Sequence, residues 1–136
     1  LRDDVSTCGT GKGGHGCGSI EATLDDGTIV LPAGTYYFDE LYLKGDVVIE
    51  LAGPVVLVIG DAFSMSDDAT LNVAGDPGDL QILLPDAQVR IKDDAQLHAY
   101  LVGPLSQVSL KDDARLAGGV VVGSLELQDD AVLQLD

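Results

Sequence analysis

Paired aspartates recur along the chain and are the residues best placed to do chemistry. Each pair lies between two short apolar segments. Carboxylate oxygens are preferred ligands of Ca²⁺, which takes about 6–8 oxygens in proteins. If the pairs stack at the spacing of β-strands, about 4.8 Å, neighbouring carboxylates repel by about 1 kcal/mol in water. The candidate Ca²⁺ ligands are Asp93, Asp94, Asp112, Asp113, Asp129 and Asp130.

A second interpretation of the same pairs needs no metal ion. Aspartate tolerates left-handed backbone geometry and accepts hydrogen bonds from nearby backbone amides. The pairs would then cap the amides of a corner and keep their remaining oxygens in water. The surrounding residues do not match the Gly- and Asp-rich repeat of calcium-binding β-rolls. Both interpretations stay open, and Ca²⁺ is the one cofactor that the sequence suggests.

Carboxylate pairs also form the catalytic centres of glycoside hydrolases. A catalytic pair occurs once in a chain, whereas these pairs return with every repeat, which indicates architecture. Aromatic residues, which stack on sugars, make up only 4% of the chain. The stretch around Lys12 is not a phosphate-binding loop, because Ser6 stands where the first glycine belongs and Gly13 follows the lysine. We therefore expect a protein that is not an enzyme.

The two cysteines, Cys8 and Cys17, both lie in the Gly-rich segment TCGTGKGGHGCGS. A close, even pair in an exported protein predicts a disulfide that closes this segment. His15 could join the two thiolates on a zinc ion, but a fourth ligand is not apparent. The segment has little to bury, so residues 1–19 are predicted to be an irregular disulfide-closed unit, and residues 20–136 the folded domain.

An internal repeat dominates residues 20–136. Five phrases align without gaps: LYLKGDVVIEL, FSMSDDATLNV, VRIKDDAQLHA, VSLKDDARLAG and LELQDDAVLQL, with start-to-start spacings of 22, 26, 19 and 17 residues. Apolar residues alternate with polar ones on both sides of a Gly-Asp or Asp-Asp pair, which is the period of β-strands. A second apolar run separates each phrase from the next. Each unit therefore reads as strand, corner, strand, turn and strand.

Units of this length and pattern are typical of a solenoid. The predicted fold is all-β: a single-stranded parallel β-helix of about five to six coils. Its interior should contain one column formed by the third residue of each phrase. A sandwich of hairpins is the structural alternative, but it requires reversing turns such as Asn-Gly, and the single asparagine, Asn72, is followed by valine. The predicted interior column is Leu43, Met65, Ile91, Leu110 and Leu127.

The charge of the chain excludes several partners. Asp and Glu total 23 against 7 Lys and Arg, a net charge of −16. Such a surface repels nucleic acid and anionic membranes. No apolar run approaches the roughly 20 residues that span a bilayer, so no membrane insertion is expected. Because the chain starts at Leu1 without a leader, we interpret it as a processed or cut protein. The expected location is outside the cell or on its surface.

The phrases and the run LPAGTYYFDELYLKGDVVIELAGPVVLVIGDAFSMSDDATLNVAGDPGDLQILL resemble the β-solenoid domain of bacterial exported and pilus-associated surface proteins. The resemblance covers residues 31–136 and implies a right-handed β-helix, export and no known catalysis. More distantly, the chain is similar to bactofilins, β-helices that polymerise end to end. It departs from the first family by carrying Asp-Asp where that family carries Gly-Asn.

The last phrase, LELQDDAVLQLD, suggests how the protein works. It runs to the end of the sequence, and its final coil would expose strand edges and a leucine-rich layer, which other chains can pair with. The expected function is a non-catalytic extracellular subunit of a filament or surface appendage, a homopolymer built by head-to-tail contacts. The alternative is a monomeric adhesin-like or Ca²⁺-dependent carbohydrate-binding module. The predicted self-assembly residues are Ala131, Val132, Leu133 and Leu135.

Overall fold

The structure, a computed structural model, describes residues 21–135. These residues form eleven β-strands and one short 3-10 turn, Pro77–Asp79, and every strand pairing among them is parallel. The strands are β1 (Glu21–Leu24), β2 (Thr28–Leu31), β3 (Gly34–Leu43), β4 (Val48–Leu51), β5 (Val55–Met65), β6 (Thr70–Leu71), β7 (Leu80–Leu83), β8 (Gln88–Ile91), β9 (Gln96–Leu110), β10 (Arg115–Leu127) and β11 (Val132–Leu135).

The chain winds into a β-solenoid of about six turns, which confirms the predicted fold class. Each full coil has three walls. The first wall contains β1, β8 and the last four residues of β3, β5, β9 and β10, and the second contains β2, β4, β6, β11 and the starts of β9 and β10. The third wall stacks the starts of β3 and β5 on β7 and on the middle of β9 and β10.

The corner between the first and second walls is the most regular part of each coil. Each of these corners begins with a lysine, serine or glutamine, and the residue that follows it has left-handed backbone geometry. Its φ is 64° at Gly45, 58° at Asp67, 61° at Asp93 and 61° at Asp112. Asp129 completes the column at 59°. Only glycine, aspartate and asparagine enter this region readily, which explains why every repeat carries Gly or Asp at this position.

The core consists of thin layers of aliphatic side chains. Leu43, Met65, Ile91 and Leu110 are all at most 1% exposed and pair in register, which confirms four members of the predicted interior column. The fifth member, Leu127, is 48% exposed, because no described residue lies on its far side. The valine or alanine that follows the Gly-Asp or Asp-Asp pair is buried beneath the corner at Val47, Ala69, Ala95 and Ala114.

Two buried polar side chains hold the irregular parts of the walls. Asn72, with a φ of 59°, turns the chain out of β6, and its amide donates to the carbonyl oxygens of Asp76 at 2.9 Å and His98 at 3.1 Å. Ser106 donates to the carbonyl of Leu84 and accepts from the amide of Ala87. Each side chain thus bonds to backbone groups of the neighbouring coil at a turn between two walls.

Close packing between coils leaves no room for a Cβ at several glycines, among them Gly45 and Gly119. A Cβ at Gly45 would lie 2.1 Å from the carbonyl oxygen of Asp25, because the corner of the first coil is one residue shorter than the corner above it. A Cβ at Gly119 would lie 2.7 Å from the ring of Tyr100, which pairs with it in the neighbouring coil. Both positions therefore exclude a side chain for steric reasons.

Candidate functional site

The Asp pairs stack at the corner, as the repeat predicts. The carboxylate of Asp67 accepts a hydrogen bond of 3.0 Å from the amide of Gly45 in the coil below, and the carboxylate of Asp93 accepts one of 3.1 Å from the amide of Asp67. Corner backbones also bond directly, since the amide of Asp94 donates to the carbonyl of Asp67. At these two steps the first aspartate of a pair caps an amide in the neighbouring coil.

This capping geometry supports the interpretation of the corner that needs no metal. Among residues 21–135, no group of three or more His, Cys, Asp or Glu side chains lies close enough to hold a metal ion. An Asp side chain that reaches along the column to a backbone amide uses an oxygen that a bound cation would require. The Ca²⁺ prediction for Asp93, Asp94, Asp112, Asp113, Asp129 and Asp130 stays untested, and among these six the hydrogen bond from the amide of Asp67 gives the carboxylate of Asp93 a structural role.

The predicted Cys8–Cys17 disulfide and the Gly-rich segment lie outside the described residues. His98 is half-buried, and its carbonyl oxygen, not its ring, takes part in the contact with Asn72. The tyrosines near the first coils do not form one surface patch. Tyr36 is buried in the core and donates its hydroxyl to the carbonyl of Pro32 at 2.9 Å, whereas Tyr37 points outward from the third wall.

The terminal coil, residues 124–135, has the most unusual exposure in the molecule. Its first-wall strand pairs only with residues 107–110 and its second-wall strand only with residues 115–118, so one edge of each is open within the described part of the chain. Leu125, Leu127 and Leu135 are exposed, and Leu133 is half-buried. The equivalent residues one coil earlier, Val108, Leu110 and Leu116, are all at most 2% exposed.

The predicted assembly residues divide between the two sides of this coil. Leu133 and Leu135 continue interior columns, in register with Leu116 and Gly118, and Ala131 continues the column of buried alanines under the corner. Val132 instead continues the column of Gln96 and Arg115, which lies on the outer side of the wall. The open layer at the end therefore contains Ala131, Leu133 and Leu135, joined by Leu125 and Leu127.

Comparison with known protein families gives a match over most of the chain. A family described as a domain of unknown function, DUF7305, matches residues 42–136. The chain belongs to the DUF7305 family. No curated protein and no solved structure matches the chain significantly. The match begins within β3 and includes all the corners from Gly45 onward.

The first wall of this DUF7305 protein carries a shallow depression of about 300 Å³. Its outer rim is polar, with Gln88, Arg90, Gln107, Ser109 and Glu126 in two adjacent outward columns. The depression contains one carboxylate and not the pair that glycoside hydrolysis requires. Within residues 21–135, no helix is long and apolar enough to cross a membrane.

The outer side of the third wall of the DUF7305 domain carries a feature that was not predicted from the sequence. Outward-pointing apolar side chains stack there in one register-matched column across five coils, and Leu105 is exposed beside it. The signal was present in the runs VVLV, YLV and VVV, in which consecutive residues are apolar. Because consecutive residues of a strand point to opposite sides, the outer side of the wall is apolar too. The column, here named the apolar flank, is Tyr37, Val58, Leu83, Val102 and Val121.

Proposed function

We propose that this DUF7305 protein is a non-catalytic structural subunit that assembles head to tail, with the terminal coil of one copy stacking on the first coil of the next. The observation that carries the proposal is the exposed interior layer of the terminal coil. Leu127 is 48% exposed where the same position in the coil below is fully buried. A solenoid coil is stabilised by its two neighbours, and a second copy supplies the missing one.

The geometry of a parallel solenoid favours this kind of contact. The described first coil also pairs on one side only, since β1 pairs with β3 and β2 with β4. An open edge at one end and an open edge at the other have the same strand direction and the same interior columns. A junction between copies can therefore continue both the hydrogen-bond ladder and the aliphatic layers, and a head-to-tail contact repeats into a filament.

The proposed location is the cell exterior. The acidic surface, the absence of a nucleic-acid-binding charge pattern and the expected disulfide in the Gly-rich segment support this placement. Non-reducing mass spectrometry of native material is the direct measurement. A bonded Cys8–Cys17 pair makes the protein two hydrogens lighter than the reduced form, whereas two alkylatable thiols in native material would contradict an oxidising location.

The assembly test compares two double variants in the same coil. Leu127→Lys with Leu133→Lys places charges in the open layer, whereas Val132→Lys with Gln134→Lys places the same charges on the outer side of the wall. Electron microscopy and sedimentation velocity should show filaments for the unmodified protein and for the second variant. The first variant should stay folded and form no filaments, because a buried ammonium without a partner is strongly unfavourable.

Hydrogen exchange identifies what covers the terminal coil. The amides of β11 should exchange rapidly in dilute protein and become protected as the protein assembles. If β11 is already protected in a monodisperse monomer, another segment of its own chain covers the coil. In that case head-to-tail stacking fails, and the binding-module alternative takes its place.

A further inference from the structure

The apolar flank differs from the other two walls in its charge. The strand segments that form it, residues 35–37, 56–58, 81–83, 100–102 and 119–121, contain no Asp, Glu, Lys, Arg or His. The outward columns of the first wall carry Glu40, Arg90 and Glu126, and those of the second wall carry Glu50 and Arg115. One side of a protein with a net charge of −16 is therefore uncharged.

The corner next to the flank changes along the solenoid. Asp39, Asp61 and Asp86 occupy this corner in the earlier coils, but the next two coils carry Leu105 and Gly123 there. Leu105 stands where Asp86 stands one coil earlier, and it is 74% exposed. Beside it, Val102 is 40% and Val121 60% exposed. The flank is therefore most apolar in the fourth and fifth coils, where the acidic border at this corner ends. At the opposite edge of the flank, Asp76 and Asp79 lie at the exposed turn Pro77–Asp79, which contacts β9 and β10.

We propose that the apolar flank is the surface through which two copies of this protein pair side by side. A partner that recognises the acidic surface would be basic and would bind at the corners, not at an uncharged wall. A second copy fits because the Asp-pair columns lie at the corner that the third wall does not share. Two copies in contact through their flanks thus keep their densest acidic columns on the far sides of the pair.

The size of the flank determines the strength of the pairing. Five coils extend about 24 Å along the axis, and three residues extend about 10 Å across a wall. With side chains and Leu105 included, the flank is smaller than the roughly 800 Å² per partner of a standard stable interface. The pairing is therefore weak between single subunits and additive along stacked ones, since linked contacts reinforce one another.

Pairing through the flank revises an expectation based on composition. A chain with 23 acidic residues would be expected to repel its copies along every flank. Because the flank itself is uncharged, the repulsion acts only at longer range, where salt screens it within about 10 Å at 0.1 M and about 3 Å at 1 M. Side-by-side pairing should therefore strengthen as the salt concentration rises.

The test separates side-by-side pairing from head-to-tail stacking by using the full chain with Leu127→Lys and Leu133→Lys in every sample. In this background, analytical ultracentrifugation should show a reversible monomer–dimer equilibrium that strengthens in 1 M NaCl. Adding Val102→Lys and Val121→Lys should weaken the dimer by at least roughly tenfold, since a charge in an apolar contact has no partner. The matched control is Gln88→Lys with Gln107→Lys, which adds the same charge to adjacent coils of the first wall.

A dimer that is lost with the flank pair and kept with the control pair supports the proposal. Protein that stays monomeric at millimolar concentration in high salt overturns it, as does a dimer that the two lysine pairs weaken equally. Neither of these results changes the head-to-tail proposal, which is tested in chains with the unmodified terminal coil.

Discussion

Replacing the same interior leucine in two different coils tests how the solenoid is covered. Leu110 and Leu127 occupy one column and pair in register, yet Leu110 is fully buried and Leu127 is 48% exposed. Truncation of a buried leucine to alanine costs about 2–5 kcal/mol, which combines lost burial with a residual cavity. Leu110→Ala should therefore cost about 3 kcal/mol.

The same change at Leu127 should cost much less. About half of the side chain is already in water, and an opening at the end of the stack leaves no enclosed cavity. With about 1.5–3 kcal/mol for complete burial of a leucine side chain, Leu127→Ala should cost about 1 kcal/mol in dilute monomer. Leu105→Ala is the control, since this outward side chain is 74% exposed and should cost close to nothing.

Urea denaturation followed by circular dichroism measures these differences. With a slope of about 1–3 kcal/mol per molar urea, Leu110→Ala should lower the midpoint by about 1–3 M, and Leu127→Ala by about a third of that. The slopes should stay unchanged, which shows that the comparison is valid. Equal losses at the two positions in dilute protein would refute the reasoning, because they would mean that Leu127 is covered in the monomer.

Four further predictions follow from the corners and turns. Asp93→Gly removes the acceptor of the Asp67 amide without backbone strain and should cost about 1–2 kcal/mol in thermal or urea unfolding, whereas Asp93→Asn should stay within about 0.5 kcal/mol. Gly45→Ala should cost about 2–4 kcal/mol by urea unfolding, since its Cβ meets the carbonyl of Asp25 in a left-handed conformation, and a neutral result would contradict that contact. Asn72→Ala should speed hydrogen exchange in the loop that follows it, and unchanged exchange would show that its two amide bonds do not hold that loop. Ca²⁺ should raise the melting temperature no more than Na⁺ at matched ionic strength, and a large shift at micromolar Ca²⁺ would instead support the metal interpretation of the Asp pairs.

The fold could be predicted because each coil repeats the same local chemistry. Alternating apolar residues specify a wall, and a residue that tolerates positive φ specifies a corner, so Asp67 and Asp93 marked their corners in the sequence alone. In-phase repeats also favour parallel stacking, since identical residues then lie above one another. The lengths of the walls were harder to predict, because β9 and β10 continue through two corners as single strands of 15 and 13 residues.

The candidate sites were predicted less well, for physical reasons. Hydrophobic alternation shows which residues of a strand can face a core, but it loses this information where both sides of a wall are apolar. The alternation therefore does not assign Val102 and Val121 to either side of the wall, and the structure exposes them on the flank. At the end of the solenoid the two sides of the wall differ. Leu133 and Leu135 lie in the open layer, whereas Val132, which was grouped with them as an assembly residue, lies on the outer side of the wall.

Departures from the repeat locate the surfaces that are particular to this chain. The Asp-pair corner hardly changes from coil to coil, as expected for a device that every coil needs. The other corners vary: the 26-residue unit contains the loop after Asn72, and the 17-residue unit has one residue, Gly123, where the coil before it has three. At the loop, the side-chain amide of Asn72 donates to the carbonyl oxygen of His98 in the next coil. The shortened corner also removes the acidic border of the third wall next to Val121. The shortened corner thus leaves an apolar surface open, which is where an interaction between copies would act.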